Sequence, residues 1–115
     1  MAKTSPYESG ELTDSIFLIM LATIKPIHGY AIMQKLEQLT HGAVVIGPAT
    51  MYTTLKKLRE AKWITTLGEE ESKIEYQITK EGFEILQKDY IRRQRIVTLA
   101  NKELEDYEYE EIQSQ

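Results

Sequence analysis

The sequence predicts a mainly α chain with one small β-hairpin, ending in a long helix. Two observations carry this. Apolar residues recur every three to four positions through most of the 115 residues, and the period drops to two only over "WITTL", 63–67, and "KIEYQI", 73–78. After the second of these runs a single apolar seam continues from Phe83 to Tyr107 at alternating steps of three and four.

Residues 1–11 are polar and read as a flexible arm. No apolar run follows Lys3, so no secretion signal is expected, and the longest apolar run, Ile16 to Ala22, is too short to span a bilayer. Thr13 or Asp14 caps a first helix holding Ile16, Phe17, Leu18, Met20, Leu21 and Ile24, apolar round most of its surface and therefore buried on several sides. Pro26 closes it by pushing Lys25 out of helical geometry. A second helix runs from about Ile27 to Leu39, with Tyr30, Ile32, Met33, Leu36 and Leu39 on its apolar side and Gly42 as a left-handed cap. Residues 43–46 form a short extended link.

Gly47-Pro48 starts a third helix, because proline's missing N–H is not needed in a first turn. Met51, Leu55 and Leu58 mark its buried face, and Thr50, Thr53, Lys56, Lys57 and Glu60 lie mostly elsewhere. The two period-two runs, joined by the polar "GEEES", read as a hairpin. Thr79 then caps a fourth, long helix. Its seam is Phe83, Leu86, Tyr90, Arg93, Val97, Ala100, Leu104 and Tyr107, which a second copy of the chain would cover. Arg93 is the polar exception, expected to meet an acid of the partner chain or a solvent-filled gap at the dimer axis. Ile85, Ile91 and Leu99 fall off the seam and are candidates to fold back on the domain. In that order the elements make a winged helix-turn-helix over 12–79 and a C-terminal dimerisation helix over 80–112. In such folds the third helix enters the major groove and the hairpin lies along the flanking backbone.

The formal net charge of −4 argues mildly against nucleic acid, but the charge is segregated. Residues 47–67 carry a net +3, 68–86 a net −4, 87–102 a net +4 and 103–115 a net −6. Salt screens beyond about 8–10 Å, so a partner responds to the local field rather than to the total. The chain has no cysteine, which excludes disulfides and thiolate zinc sites and fits a cytoplasmic protein. His28 and His41 are its only histidines, and no nucleophile elbow, phosphate loop or dinucleotide glycine pattern occurs. No enzyme activity, metal or cofactor is expected. "KPIHGYAIMQKL", 25–36, which could pass for a fragment of an active site, reads instead as a corner of the fold. There Tyr30 packs its ring and His28 opens the helix.

"PIHGYAI", 26–32, "GPATMYTTLKKLREAKWI", 47–64, and "YQITKEGFEIL", 76–86, together resemble PadR-type transcriptional regulators in order and spacing, across most of residues 12–100. The resemblance implies a homodimer, paired through the C-terminal helix, that represses transcription from a palindromic operator. It also implies that a small, often aromatic, effector releases the DNA in some members. Carried over residue by residue, Ala49, Thr50, Tyr52, Thr53, Lys56 and Lys57 would face double-stranded DNA, with Lys73 the one basic residue of the wing. The wing departs from the family: relatives usually carry Arg or Lys before the second strand's tyrosine, whereas here Glu75 precedes Tyr76 and the loop holds Glu69, Glu70 and Glu71, which puts wing contacts in question. Trp63, the only tryptophan, is expected in the core rather than in an effector pocket, and Tyr90 is the nearest aromatic candidate for one. Two other readings stay open: a winged helix used only for protein contacts, favoured by the acidic wing, and a coiled-coil interaction domain with a winged-helix cap.

Overall fold

A computed structural model describes residues 4–68, 70 and 73–114. The elements are α1 (Pro6–Ser9), α2 (Asp14–Ala22), β1 (Ile27–His28), α3 (Gly29–Leu39), α4 (Pro48–Glu60), β2 (Ile64–Leu67), β3 (Glu75–Ile78) and α5 (Lys80–Gln113). Where a flexible arm is expected, residues 6–9 form a helical turn capped by Ser5, and the Tyr7 ring stacks on Trp63 with centroids 5.4 Å apart. Residues 1–3 lie outside the described residues.

Three helices enclose one core. Ile19, Met20, Ile32, Leu36, Met51, Leu55 and Leu58 are all but inaccessible, and burial of each such side chain contributes about 1.5–3 kcal/mol. Trp63 and Ile64 close the core from the sheet side and Leu86 from α5. The apolar surface of α2 exceeds what the core can take: Leu21 remains exposed, as do Ile24, expected inside the helix but lying beyond its end, and Tyr30 and Leu39 of α3, both expected on a buried face. Tyr30, at 65% exposure, therefore does not pack its ring as the sequence suggests.

The sheet has three antiparallel strands in the order β1-β3-β2, one more than the expected hairpin. The helix expected from Ile27 starts at Gly29 instead, because Ile27 and His28 pair with Tyr76 and Glu75. Pro26 and the extended backbone it favours prepare this short strand.

Both α3 and α4 end in Schellman turns whose left-handed residue is not glycine. After α3, Gly42 N–H donates to the Glu37 carbonyl and His41 N–H to that of Gln38, with His41 at φ 51°. Gly42, expected as the left-handed cap, is the following residue and also has positive φ. After α4, Trp63 N–H donates to Leu58 and Lys62 N–H to Arg59, with Lys62 at φ 65°. The second turn delivers Trp63 into the core directly after the helix.

The "TKEG" segment, 79–82, ties α5 to the wing. Thr79 caps the helix by accepting from Gly82 N–H, donates its hydroxyl to the Lys62 carbonyl at 2.7 Å, and donates its N–H to the Trp63 carbonyl at 2.9 Å. The 34 residues of α5 span about 51 Å at 1.5 Å per residue, and only Gly82, Leu86 and Asp89 are buried. None of the described helices is long and apolar enough to cross a membrane.

Candidate nucleic-acid interface

Successive helical residues are about 100° apart, so burial of Met51, Leu55 and Leu58 turns Ala49, Thr53, Lys56 and Glu60 outward on α4. Thr50 and Lys57 flank this face on one side, Tyr52 and Arg59 on the other. Ala49, Thr50, Tyr52, Thr53, Lys56 and Lys57 are all exposed. The helix begins at Gly47 and Pro48 with no side chain capping it. The first-turn N–H groups of Ala49 and Thr50 therefore point outward unbonded to any side chain, at the positive end of the helix dipole.

The wing-side flank of α4 forms a polar cleft of about 550 Å³ lined by His28, Gly29, Tyr30, Tyr52, Arg59, Ile74 and Tyr76. Gly29 makes room for one wall: a Cβ there would lie 2.9 Å from the Tyr52 ring. His28 opens α3 without capping it; its Nδ1 lies 3.2 Å from the Ile74 carbonyl and must carry a proton to donate to it. Burial raises the Tyr76 phenol above its ordinary range, the nearby Tyr52 raises it further, and Arg59 opposes both. Tyr76 thus stays protonated at neutral pH and can donate. A cleft with an arginine, phenols and an imidazole suits a phosphodiester.

The sequence counts Arg59 with the clustered bases Lys56, Lys57 and Lys62 that oppose a protein-only reading, but places neither it nor Tyr76 among the DNA contacts. Arg59 was within reach, because it lies seven residues from Tyr52, two helical turns along the same flank. Tyr76 was not, because its place in the cleft follows from the pairing of β1 with β3.

Lys73, the expected basic contact of the wing, is exposed and lies 3.5 Å from the Glu70 carboxylate. Both side chains are more than 70% exposed, so the pair is a weak, solvent-screened one, yet it offsets the only positive charge of the loop. Glu69 and Glu71 lie outside the described residues.

Along α5 the expected seam divides. Phe83, Tyr90, Val97, Ala100, Leu104 and Tyr107 are exposed. Leu86 is 4% exposed and belongs to the chain's own core, a correction to its placement at a dimer seam; only its edge reaches the surface. Of the off-seam residues, Ile85 packs on the core, while Ile91 and Leu99 do not. Phe17, Leu21, Ile24, Phe83, Leu86, Gln87 and Tyr90 line an almost wholly apolar groove of about 450 Å³ between α2 and α5.

Arg93, expected to meet a partner's acid or a solvent-filled gap, already has partners within the chain. Its Nε donates to Asp89 at 2.7 Å, one terminal nitrogen to Asp14 at 2.7 Å and the other to the Leu12 carbonyl at 2.8 Å. Its guanidinium also lies over the Phe17 ring, 4.6 Å from the centroid. Asp89, with no exposed side-chain surface, accepts in addition from Arg92 and from Leu12 N–H. Burial alone would raise the Asp89 carboxyl; the hydrogen bonds from Arg93, Arg92 and Leu12 outweigh it and hold the group below the usual carboxylate range. No group of three or more potential metal ligands occurs among the described residues.

Comparison with known proteins agrees with this geometry. A transcriptional regulator from Clostridium thermocellum superposes with a TM-score of 0.65 at 23% identity, over 85% of this chain and 97% of that one. A PadR family transcriptional regulator from Eggerthella lenta gives 0.64 at 21% identity, over 79% and 81%. RosR of H. salinarum gives 0.61 at 21% identity, over 82% and 94%. These likenesses establish the fold. No curated protein matches the chain. The sequence profile of the PadR-like family of transcriptional regulators matches residues 18–88, more than half of the chain, from the middle of α2 into the first turns of α5. The chain therefore belongs to the PadR-like family of transcriptional regulators.

Proposed function

We propose that the chain is a homodimeric repressor that binds a palindromic operator in double-stranded DNA with α4 in the major groove. One observation carries this reading: α4 buries one face completely and presents on the other Thr50 and Thr53 near an uncapped N-terminus, with Lys56 and Lys57 further along the helix. Thr50 and Thr53 suit phosphates or base edges, and Lys56 and Lys57 suit phosphates or guanine acceptors. Arg59, Tyr52 and Tyr76 join them as phosphate contacts along the wing-side cleft. The acidic wing leaves most of the binding to α4, and Lys73 contributes little.

α5 supports the dimer. Every described residue from 94 to 114 is exposed, apolar ones included, and helices in proteins draw most of their stability from packing of an apolar face. Phe83, Tyr90, Val97, Ala100 and Leu104 meet a second copy in this reading. The α2–α5 groove is open on the same side, so a small aromatic effector would lie there, beside Tyr90, at the edge of the dimer interface.

Selection of bound duplexes from a random pool tests the reading. The expected product is a palindrome with half-sites about one helical turn apart. Affinity should fall steeply with salt, and Lys56→Ala and Lys57→Ala should each reduce the slope of that dependence by about one. Absence of any enriched duplex at low salt removes the DNA-binding reading and leaves a protein-contact module, which the acidic wing would suit.

A further inference from the structure

Arg93 interrupts an apolar seam, and the structure gives it a task inside one chain. It is the last residue of α5 with a hold on the winged domain. Before it, Leu86 and Asp89 are buried; after it, every described residue is exposed. The two are linked: Asp89 orients the Arg93 Nε, and the two terminal nitrogens reach Asp14 and the Leu12 carbonyl. Asp89 in turn holds Leu12 N–H at 3.3 Å. The Phe17 ring supports the guanidinium from α2. One planar group thus engages α5, the α1–α2 link and α2 together, and a fork of fixed geometry resists rotation more than a point charge would.

We propose that this clamp fixes the angle at which α5 leaves the winged domain, and so sets which spacing between operator half-sites the dimer accepts. The proposal rests on the reading above, that the chain binds DNA as a dimer paired through α5. In such a dimer the two α4 helices are placed by the two α5 anchors. A rotation of α5 at the anchor displaces the reading helix, and a displacement of about 3.4 Å is one base-pair step. Asp89 and Arg93 are positioning residues here: they lie on α5, not on the α4 face that meets DNA.

The test uses the full chain and the operator selected for it, remade as a series with the half-site spacing shortened or lengthened one base pair at a time. Wild-type protein is expected to bind one spacing about tenfold or more tighter than its neighbours, the order of a single mismatched base pair. Arg93→Met keeps the stem over Phe17 and leaves Asp89 its Arg92 and Leu12 partners. It should remain a dimer and bind the preferred operator within about threefold of wild type, while discrimination between spacings falls to about threefold or less. A dimeric Arg93→Met with the wild-type spacing profile overturns the proposal. Should that variant fail to dimerise, Asp14→Ala decides. The Asp14 side chain is 83% exposed, so its loss removes one anchor without opening the core, and an unchanged profile overturns the clamp. A wild-type dimer that binds all spacings equally also overturns the clamp. Wild-type protein that binds no duplex fails the underlying reading instead.

Discussion

Adding one methyl group at Gly82 should separate the wing from the long helix. Gly82 is buried in the first turn of α5, directly against the backbone of Trp63. A Cβ there would collide with the Trp63 carbonyl oxygen and lie 2.8 Å from its carbonyl carbon and 2.9 Å from its Cα. Neither neighbour is a flexible side-chain tip, so α5 or the α4–β2 turn must shift by an ångström or more. The shift pulls on the three Thr79 hydrogen bonds that join the segment to Lys62, Trp63 and its own helix. In an open helix Gly→Ala would gain about 1 kcal/mol. Here overpacking of about 1–3 kcal/mol and about 1 kcal/mol for each weakened hydrogen bond outweigh that gain. A net loss of about 3–5 kcal/mol is expected. At about 2.1 cal/mol/K per residue, a chain of this length loses about 4 °C of Tm per kcal/mol, so Tm should fall by about 12–20 °C. Thermal melts at one fixed protein concentration, followed by circular dichroism, give the value, since dimerisation makes Tm depend on concentration. A variant melting at or above wild type would refute the packing argument.

Other outcomes follow from the same contacts. Lys62→Gly relieves a left-handed residue that costs about 1–2 kcal/mol, less glycine's larger unfolded-state entropy; a rise of about 2–4 °C in Tm is expected, and a fall would show that Lys62 is not strained. Because the Asp89 carboxyl is held low in the folded chain, its contribution is present above the ordinary carboxylate pKa of about 4 and is lost as pH falls below it. Asp89→Asn should therefore lose about 3 kcal/mol at neutral pH, and urea melts should show the gap from wild type closing only below about pH 4. Leu86→Ala should cost about 2–5 kcal/mol of stability, whereas Leu104→Ala should leave the winged domain intact and raise the dimer dissociation constant in sedimentation; equal effects on both readouts would contradict the division of α5.

Much of this was legible in the chain. The face of α4 could be read because Met51, Leu55 and Leu58 recur at helical spacing and the polar residues fall between them, a pattern set by local geometry alone. The change of period marked β2 and β3 for the same reason. β1 escaped because two residues cannot display a period of two, and their partner, Tyr76, is far along the chain. The polar cleft escaped with it. "YQITKEG" could be recognised as a motif, but its reason is spatial: Thr79 and Gly82 meet the Lys62–Trp63 turn, which only the packed chain brings there.

Arg93 shows the limit most clearly. From spacing it belonged to a seam facing a second chain, and a charge there called for a partner's acid. Spacing reports which residues share a helix face; it does not report what stands opposite that face. By itself the sequence determined the types of α2 to α5, β2 and β3, the buried stripe of α4, and a basic outer face on α4 beside an acidic wing. The tertiary structure alone decided where α5 leaves the core of its own chain. That boundary lies where the link before α2 crosses α5, and Leu12, Asp14 and Phe17 reach Arg93 from about 80 residues away, a distance over which no local periodicity carries information.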